Sequence, residues 1–281
     1  MGQLYLCATP IGNLEDITFR VLRVLKEVDI IAAEDTRNSI KLLNHFEIKT
    51  KMTSYHEYNK VDKAKYLVSK MQEGLDVALI TDAGTPAISD PGEELVRQCY
   101  EAGIKVTSLP GACALVTALT MSGRNTRRFA FEAFLPAEKK LRATILSSLA
   151  EETRTIILYE APHHLLKTLK ELYEVLGNRS LTICKELTKR HENAMLTTFC
   201  EAISYYEQET PRGEYVLVIE GKSFDEIAKE KQDDWEKMSI SDHMQHYLDK
   251  GFERKEAMKQ VAKDRGVSKR DIYSALLQKK E

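Results

Sequence analysis

Three times in its first 114 residues the chain runs through a short strand-like stretch and stops in a loop of Pro and Gly. Leu4 to Ala8 enters TPIGN, Val77 to Thr81 enters TDAGTPAISDPG, and Ile104 to Leu109 enters PGACA. Short strand-like runs that alternate with helical patterns argue for a sheet covered by helices. Between them, Ile17, Val21, Leu22, Val24, Leu25 and Val28 follow helical spacing, and Asp29 to Ala33 reads as another strand. Asp90 caps a helix with Pro91, Glu93 and Glu94 in its first turn and Gly103 at its end. The expectation is an α/β domain over residues 1–122 whose loops gather at the carboxyl ends of its strands, where open α/β sheets bind ligands.

A second α/β domain is expected over 123–222. Phe129 to Phe134, Thr155 to Tyr159, Leu181 to Lys185, Met195 to Phe199 and Tyr215 to Ile219 read as strands, with helices from about Ala137, Pro162 and Glu201. The short connection between 185 and 195 implies antiparallel neighbours, hence a mixed sheet. Two sheets in series place a cleft between the domains. Residues 223–281 read as a small helical domain, with segments 223–236, 239–250, 253–264 and 268–280 punctuated by Gly251 and Gly266. FERKEAMKQVAKDRGVSKRDIYSALL has the outline of a helix-turn-helix, though a plain helical appendage fits equally.

Composition narrows the chemistry. The five cysteines show no C-x-x-C spacing, which argues against a disulfide framework or a zinc cage, and no metal ligands are assigned. His163 and His164 are expected to point to different sides of a helix. No apolar run reaches 18 residues and MGQLYLCATP enters a strand directly, so the expectation is a cytoplasmic protein without a membrane span. The net charge of −2 conceals an excess of four positive charges from Asp249 onward, compatible with nucleic acid or a solvated helical face.

The loops contain neither G-x-x-x-x-G-K-[ST] nor G-x-G-x-x-G, so the best signals for nucleotide phosphates are missing, and Asp82 and Asp90 repel phosphate. An acidic pocket rich in accessible backbone suits a ligand with positive charge and many hydrogen-bonding groups. S-adenosylmethionine, with its sulfonium and amino group, is one such ligand.

ATPIGNLEDITFRVLRVLKEVDIIAAEDTR, LITDAGTPAISDPG, LPGACALVTAL, YEAPHHLLKTL, ICKELTKRHE and PRGEYVLVIEG together resemble the tetrapyrrole-methylase superfamily, in register from residue 3 to about 221. Within it they resemble the branch that 2′-O-methylates a cytidine of 16S ribosomal RNA in the decoding centre of the small subunit. The resemblance implies two α/β domains with S-adenosylmethionine in the cleft between them, a small helical C-terminal domain and a homodimer. The cofactor loop of the family, written around G-D-P, falls here on DAGTP, between Asp82 and Ser89. Carried over as cofactor-binding are Pro10, Asp82, Gly84, Thr85 and Ser89, then Pro110, Gly111, Cys113 and Ala114, with Tyr159 and Val216 from the second domain. Rival readings are a methylase of the same superfamily acting on a tetrapyrrole or a protein, and a non-catalytic RNA-binding module.

Methyl transfer to a ribose hydroxyl requires alignment of oxygen, methyl and sulfur, and a base or cation beside the forming alkoxide. Glu34, Asp35 and Arg37 of AEDTR, Glu160 of YEAPHH, and Lys185 and Glu186 of ICKELTK supply both signs of charge after strands. Glu34 with Arg37, or Glu186 with Lys189, is equally readable as an ion pair. Phosphate contacts are assigned to Arg124, Arg127, Arg128, Lys139, Lys140, Arg142, Lys269 and Arg270.

Overall fold

A computed structural model describes residues 1–278. β1 (Leu4–Cys7), β2 (Ile30–Ala33), β3 (Met52–Ser54), β4 (Val77–Ile80) and β5 (Val106–Leu109) form one sheet in the order β3-β2-β4-β1-β5, every pair parallel. Side-chain alternation along these strands builds two cores, one per face. Leu4, Leu6, Ile30, Ala32, Val77 and Leu79 pack on α3 (Lys60–Gln72) and α4 (Gly92–Glu101) through Leu67, Met71, Leu95 and Cys99. Cys7, Ile31, Ala33, Ala78 and Ile80 pack on α1 (Phe19–Glu27) and α2 (Thr36–His45) through Val21, Leu25 and Leu43. The helices after β1 and β4 thus cover opposite faces, which makes the carboxyl ends of these adjacent strands the point where the winding reverses.

β6 (Phe129–Phe134), β7 (Thr155–Glu160), β8 (Ser180–Lys185), β9 (Asn193–Thr198) and β10 (Tyr215–Ile219) form the second sheet, ordered β6-β7-β10-β8-β9. Only β6 and β7 are parallel, so the sheet is mixed, as the short β8–β9 connection requires. Ile156, Leu158, Leu181, Ile183, Leu217 and Ile219 face α6 (Lys139–Leu149), α7 (Leu165–Leu176) and α8 (Phe199–Gln208). Ile157, Cys184, Val216 and Val218 face α5 (Ala114–Met121).

Several boundaries differ from the sequence reading. α2, β3 and α3 were not anticipated: β3 has three residues, and α3 buries only Ala64, Leu67 and Met71. Phe199 opens α8 rather than ending β9, because Thr198 and Glu201 close a reciprocal cap. α7 starts at Leu165, not Pro162. His163 and His164 therefore stand in the preceding turn, both exposed with ring centroids 4.1 Å apart, rather than on opposite sides of a helix. Pro91 occupies the residue before α4, while the Asp90 carboxylate accepts from the Ala87 and Gly92 amides and pins the loop.

By their contacts, residues 1–150 and 154–220 make one compact unit and 151–153 with 221–281 another. The second unit holds α9 (Phe224–Lys237), α10 (Ile240–Asp249), α11 (Arg254–Asp264) and α12 (Lys269–Gln278) around Met244, Ala257, Met258, Val261 and Ile272. Lys222 pairs with Glu151 at 2.7 Å and with Glu230. Fully buried His243 stacks on Trp235 (centroids 3.9 Å apart) and accepts at Nδ1 from Arg265 Nε at 3.1 Å. Ser268 accepts from the Asp271 amide at the start of α12, which follows α11 and the turn at Gly266; Lys279 and Lys280, assigned to the last helix, lie outside the described residues. Among the described residues, no helix is long and apolar enough to cross a membrane.

Candidate active site

Two clefts open at the reversal point of the first sheet. The first, about 430 Å³, lies between the sheets. Ile11 from the β1 loop, Ala83, Gly84, Thr85 and Ile88 from the β4 loop, and Cys113 and Ala114 after β5 form one wall. The other comes from the second sheet: Phe134, then Tyr159 through Pro162, Leu187, and Glu214 through Val216.

Backbone geometry decides what projects into this space. Ala87 (φ 65°) and Ser89 (φ 62°) flank Ile88; Glu186 (φ 51°) and Thr188 (φ 65°) flank Leu187; Ala133 (φ 50°) precedes Phe134 at a break in the β6–β7 register. Left-handed conformations disfavour residues with a Cβ and concentrate at functional sites, where the surrounding structure holds them. Here each kink turns one apolar side chain toward the cleft. The Tyr159 ring packs edge-on against Phe131 and Phe134, at 4.9 and 5.6 Å. Its hydroxyl accepts from the Leu115 amide at 3.1 Å, and burial pushes its pKa up to about 12, so it stays protonated.

The glycines have separate tasks. Gly84 (φ 87°) exchanges two backbone hydrogen bonds with Thr9, at 2.9 and 3.0 Å, tying the β1 and β4 loops together. A Cβ on Gly111 would stand 2.6 Å from that of Ala8, so Gly111 serves close packing of the β1 and β5 loops. Thr85 Oγ1 donates to the Ala112 carbonyl at 2.9 Å, joining the β4 and β5 loops.

The second cleft, about 360 Å³, lies beyond the Thr9–Gly84 bridge and is bordered by α2. Asp82 lines it. Its carboxylate accepts from the Asp35 amide at 3.2 Å and from Asn38 Nδ2 at 3.4 Å. Asp35 caps α2 and grips the Arg37 guanidinium at 3.0 and 2.7 Å; hydrogen bonds from Arg37 hold the Asp35 pKa down at about 2. Glu34 accepts from Thr81 Oγ1 at 2.8 Å and does not pair with Arg37.

Of the cofactor residues named from sequence, Gly84, Thr85, Cys113, Ala114, Tyr159 and Val216 line the first cleft. Pro10 and Asp82 line the second, while Ser89, Pro110 and Gly111 line neither and shape the loops. Among the charged residues, Glu160 reaches the first cleft but is committed to the Ala161 amide and the Thr168 hydroxyl. Glu186 sits beside it, accepting from Lys189 Nζ and the Glu214 amide, both at 2.9 Å. Burial raises its pKa, but these donors outweigh burial and the net shift is downward. Lys185 is not brought to the cleft: it lines a small cavity with Met195, Tyr205 and Tyr206, opposite Cys184 across the sheet. Arg142 is held by Glu171 (2.6 Å) and Thr168 (2.8 Å), so it braces α6 on α7 rather than reaching out for phosphate; Arg127, Arg128, Lys139 and Lys140 are exposed. The sequence reading missed Ile88, Phe134 and Leu187, because a kink at Ala, Ser, Glu or Thr has no residue signature of its own, and Glu214, which is set by backbone hydrogen bonds to Glu186.

The family model for tetrapyrrole (corrin/porphyrin) methylases matches residues 3–203. The chain is 51% identical over 273 residues to "Ribosomal RNA small subunit methyltransferase I" of Halalkalibacterium halodurans, covering 97% of this chain and 94% of that relative. The protein of the same name from Synechocystis is 47% identical, covering 99% and 98%. Among solved structures, diphthine synthase superposes with a TM-score of 0.62 at 11% identity, covering 78% of this chain and 90% of that one, a likeness of fold alone.

Proposed function

We infer the reaction from one premise: this chain belongs to the tetrapyrrole (corrin/porphyrin) methylase family and uses S-adenosylmethionine as its methyl donor. We propose that it 2′-O-methylates a cytidine of 16S ribosomal RNA in the decoding centre of the small subunit, as a cytoplasmic homodimer. Identities near one half to two ribosomal RNA small subunit methyltransferases, over nearly the full chain, support RNA over a tetrapyrrole or protein acceptor. A purely RNA-binding role leaves the first cleft without purpose.

The observation that carries the donor site is the first cleft and its three kinked apolar residues. At about 430 Å³ it falls within the range of small-molecule sites, roughly 300–1,000 Å³. Ile88, Phe134, Leu187 and Val216 offer apolar surface to a flat base. The Glu160 carboxylate, bound to the Ala161 amide and the Thr168 hydroxyl, and the Glu214 carboxylate, which shares Lys189 Nζ with Glu186 and accepts from it at 2.8 Å, set negative charge in the wall beside a cationic ligand. Bound there, S-adenosylmethionine supplies an electrophilic methyl carbon on a sulfonium. The apolar side chains exclude water from it, and the loops held by the Thr9–Gly84 bridge fix the line of approach. Asp35 and Glu186 have lowered pKa values and stay ionised at neutral pH, so they set the field and hold Arg37 and Lys189 rather than collect a proton. Arg37, 88% exposed in its side chain, is the cation presented to an incoming RNA.

The test is methyl transfer from labelled S-adenosylmethionine to small subunits isolated from cells lacking this gene, with the product located by mass spectrometry. A single cytidine carrying the methyl on its 2′-oxygen is expected. A methyl on a base, or none on RNA, would contradict the acceptor assignment.

A further inference from the structure

The second cleft has a feature the donor site does not explain. Ser39 is 5% exposed and lines this cleft, yet its hydroxyl has no hydrogen-bond partner among the described residues. A buried hydroxyl left unpaired is unfavourable, and native structures retain few of them. Around it, Asn38, Lys41, Leu42 and His45 recur at the spacing of one α2 face and all line the same cleft. That face carries an amide, a cation, an apolar surface and an imidazole, with Pro10 also lining the cleft. The Asp82 carboxylate, which would repel a phosphate, stands by Asn38 at the start of α2, engaged by the Asp35 amide and by Asn38 Nδ2 at 3.4 Å, and Lys41 and His45 lie further along the helix.

We propose that this cleft is a subsite for a nucleotide flanking the methylated one, with the Ser39 hydroxyl and Asn38 amide meeting its base or ribose and Lys41 and His45 its phosphate. The inference rests on the reading of the protein as an RNA methyltransferase. A flanking nucleotide, rather than the reacting ribose, follows from the partition between the clefts. Ile11, Ala83 and Gly84 face the first cleft, whereas Pro10, Gly12, Thr81 and Asp82 face the second. The paired Thr9 and Gly84 backbones stand between. A donor in the first cleft has no direct line through that bridge, so a chain occupying both sites must place successive nucleotides on either side of it. Apolar contact with Pro10 and Leu42, a hydrogen-bonding pair at one end and two basic side chains near the other match the parts of a nucleotide in order.

The experiment is steady-state methyl transfer to small subunits from cells lacking the gene, with Ser39→Ala, Lys41→Ala and His45→Ala against wild type. Lys65→Ala, an exposed lysine on α3, controls for the general loss of positive charge. The subsite predicts KM for the subunit raised about tenfold for Lys41→Ala and at least about threefold for the other two, with kcat within about twofold, since this contact is made equally in ground and transition states. Calorimetric affinity for S-adenosylmethionine should not change. Ser39→Ala should melt no lower than wild type, because the hydroxyl has no structural partner to lose. Unchanged KM in all three variants beside an active wild type would overturn the subsite alone. So would a rise equalled by Lys65→Ala. A wild type that methylates no RNA would overturn the functional reading and the subsite with it.

Discussion

Glu186 shows how much one residue of this site depends on another distant in sequence. Its left-handed backbone and its carboxylate are both held by the loop before β10: its amide donates to the Glu214 carbonyl, and Oε1 receives the Glu214 amide, at 2.9 Å each. Gly213 (φ 85°) makes room for this, since a Cβ there would stand 2.5 to 2.6 Å from Glu186 Cγ, Cδ and Oε1. Gly213→Ala should therefore cost about 1–3 kcal/mol in urea unfolding and lower donor affinity as Leu187 shifts; a neutral substitution would show the contact to be slack. Asp35 gives a prediction of the same scale. With a folded pKa of about 2 against an ordinary 3.8, its ionised form stabilises the fold fully above pH 3.8, and that contribution is lost as pH falls through 2. An NMR titration of the Asp35 carboxyl should have its midpoint near 2, and a midpoint near 3.8 would break the pairing with Arg37. The Glu186–Lys189 pair was legible from spacing; the role of Glu214 was not, because a backbone amide has no identity in a sequence.

Among the elements, the loops after β4 and β8 and the break in β6 act alike, each turning one apolar residue toward the first cleft. Ala87→Val puts a β-branched side chain at φ 65° and should destabilise by about 1–3 kcal/mol, whereas Ala87→Gly should be near neutral. Thermal melts of the two variants distinguish a held kink from a relaxed loop. The strand ends at TPIGN, DAGTP and PGACA were legible because Pro and Gly mark them. Ile88, Leu187 and Phe134 were not, since their kinks fall on ordinary residues. α2 was passed over for a related reason: most of one face of TRNSIKLLNH borders a cleft instead of the core, which leaves too thin an apolar stripe to announce a helix.

The molecule as a whole joins a parallel sheet and a mixed sheet in one compact unit and adds a helical unit with a core of its own. Fold class followed from apolar runs and loop lengths, whereas the presence of two clefts, divided by the Thr9–Gly84 bridge, depended on which way alternate loop residues face. The helical unit carries the only tryptophan, Trp235, stacked on buried His243. Burial, then the Arg265 charge, lowers the His243 pKa below its ordinary 6.5. The unfolded state thus binds the proton more readily, so the contribution of neutral His243 is complete above about pH 6.5 and is lost as pH falls through the folded pKa. Melts followed by Trp235 fluorescence should weaken on acidification below 6.5, and His243→Gln should flatten that dependence.

In the proposed reaction the first cleft holds the methyl donor. Ala83 is exposed at its rim, so Ala83→Trp can fill the cleft without disturbing a core. The decisive comparison is a calorimetric titration of S-adenosylmethionine into wild type and Ala83→Trp at matched melting temperature. Wild type should bind, and the variant should lose at least about tenfold in affinity, or 1.4 kcal/mol. Equal affinity in the two proteins, or no binding by wild type, would contradict that placement of the donor.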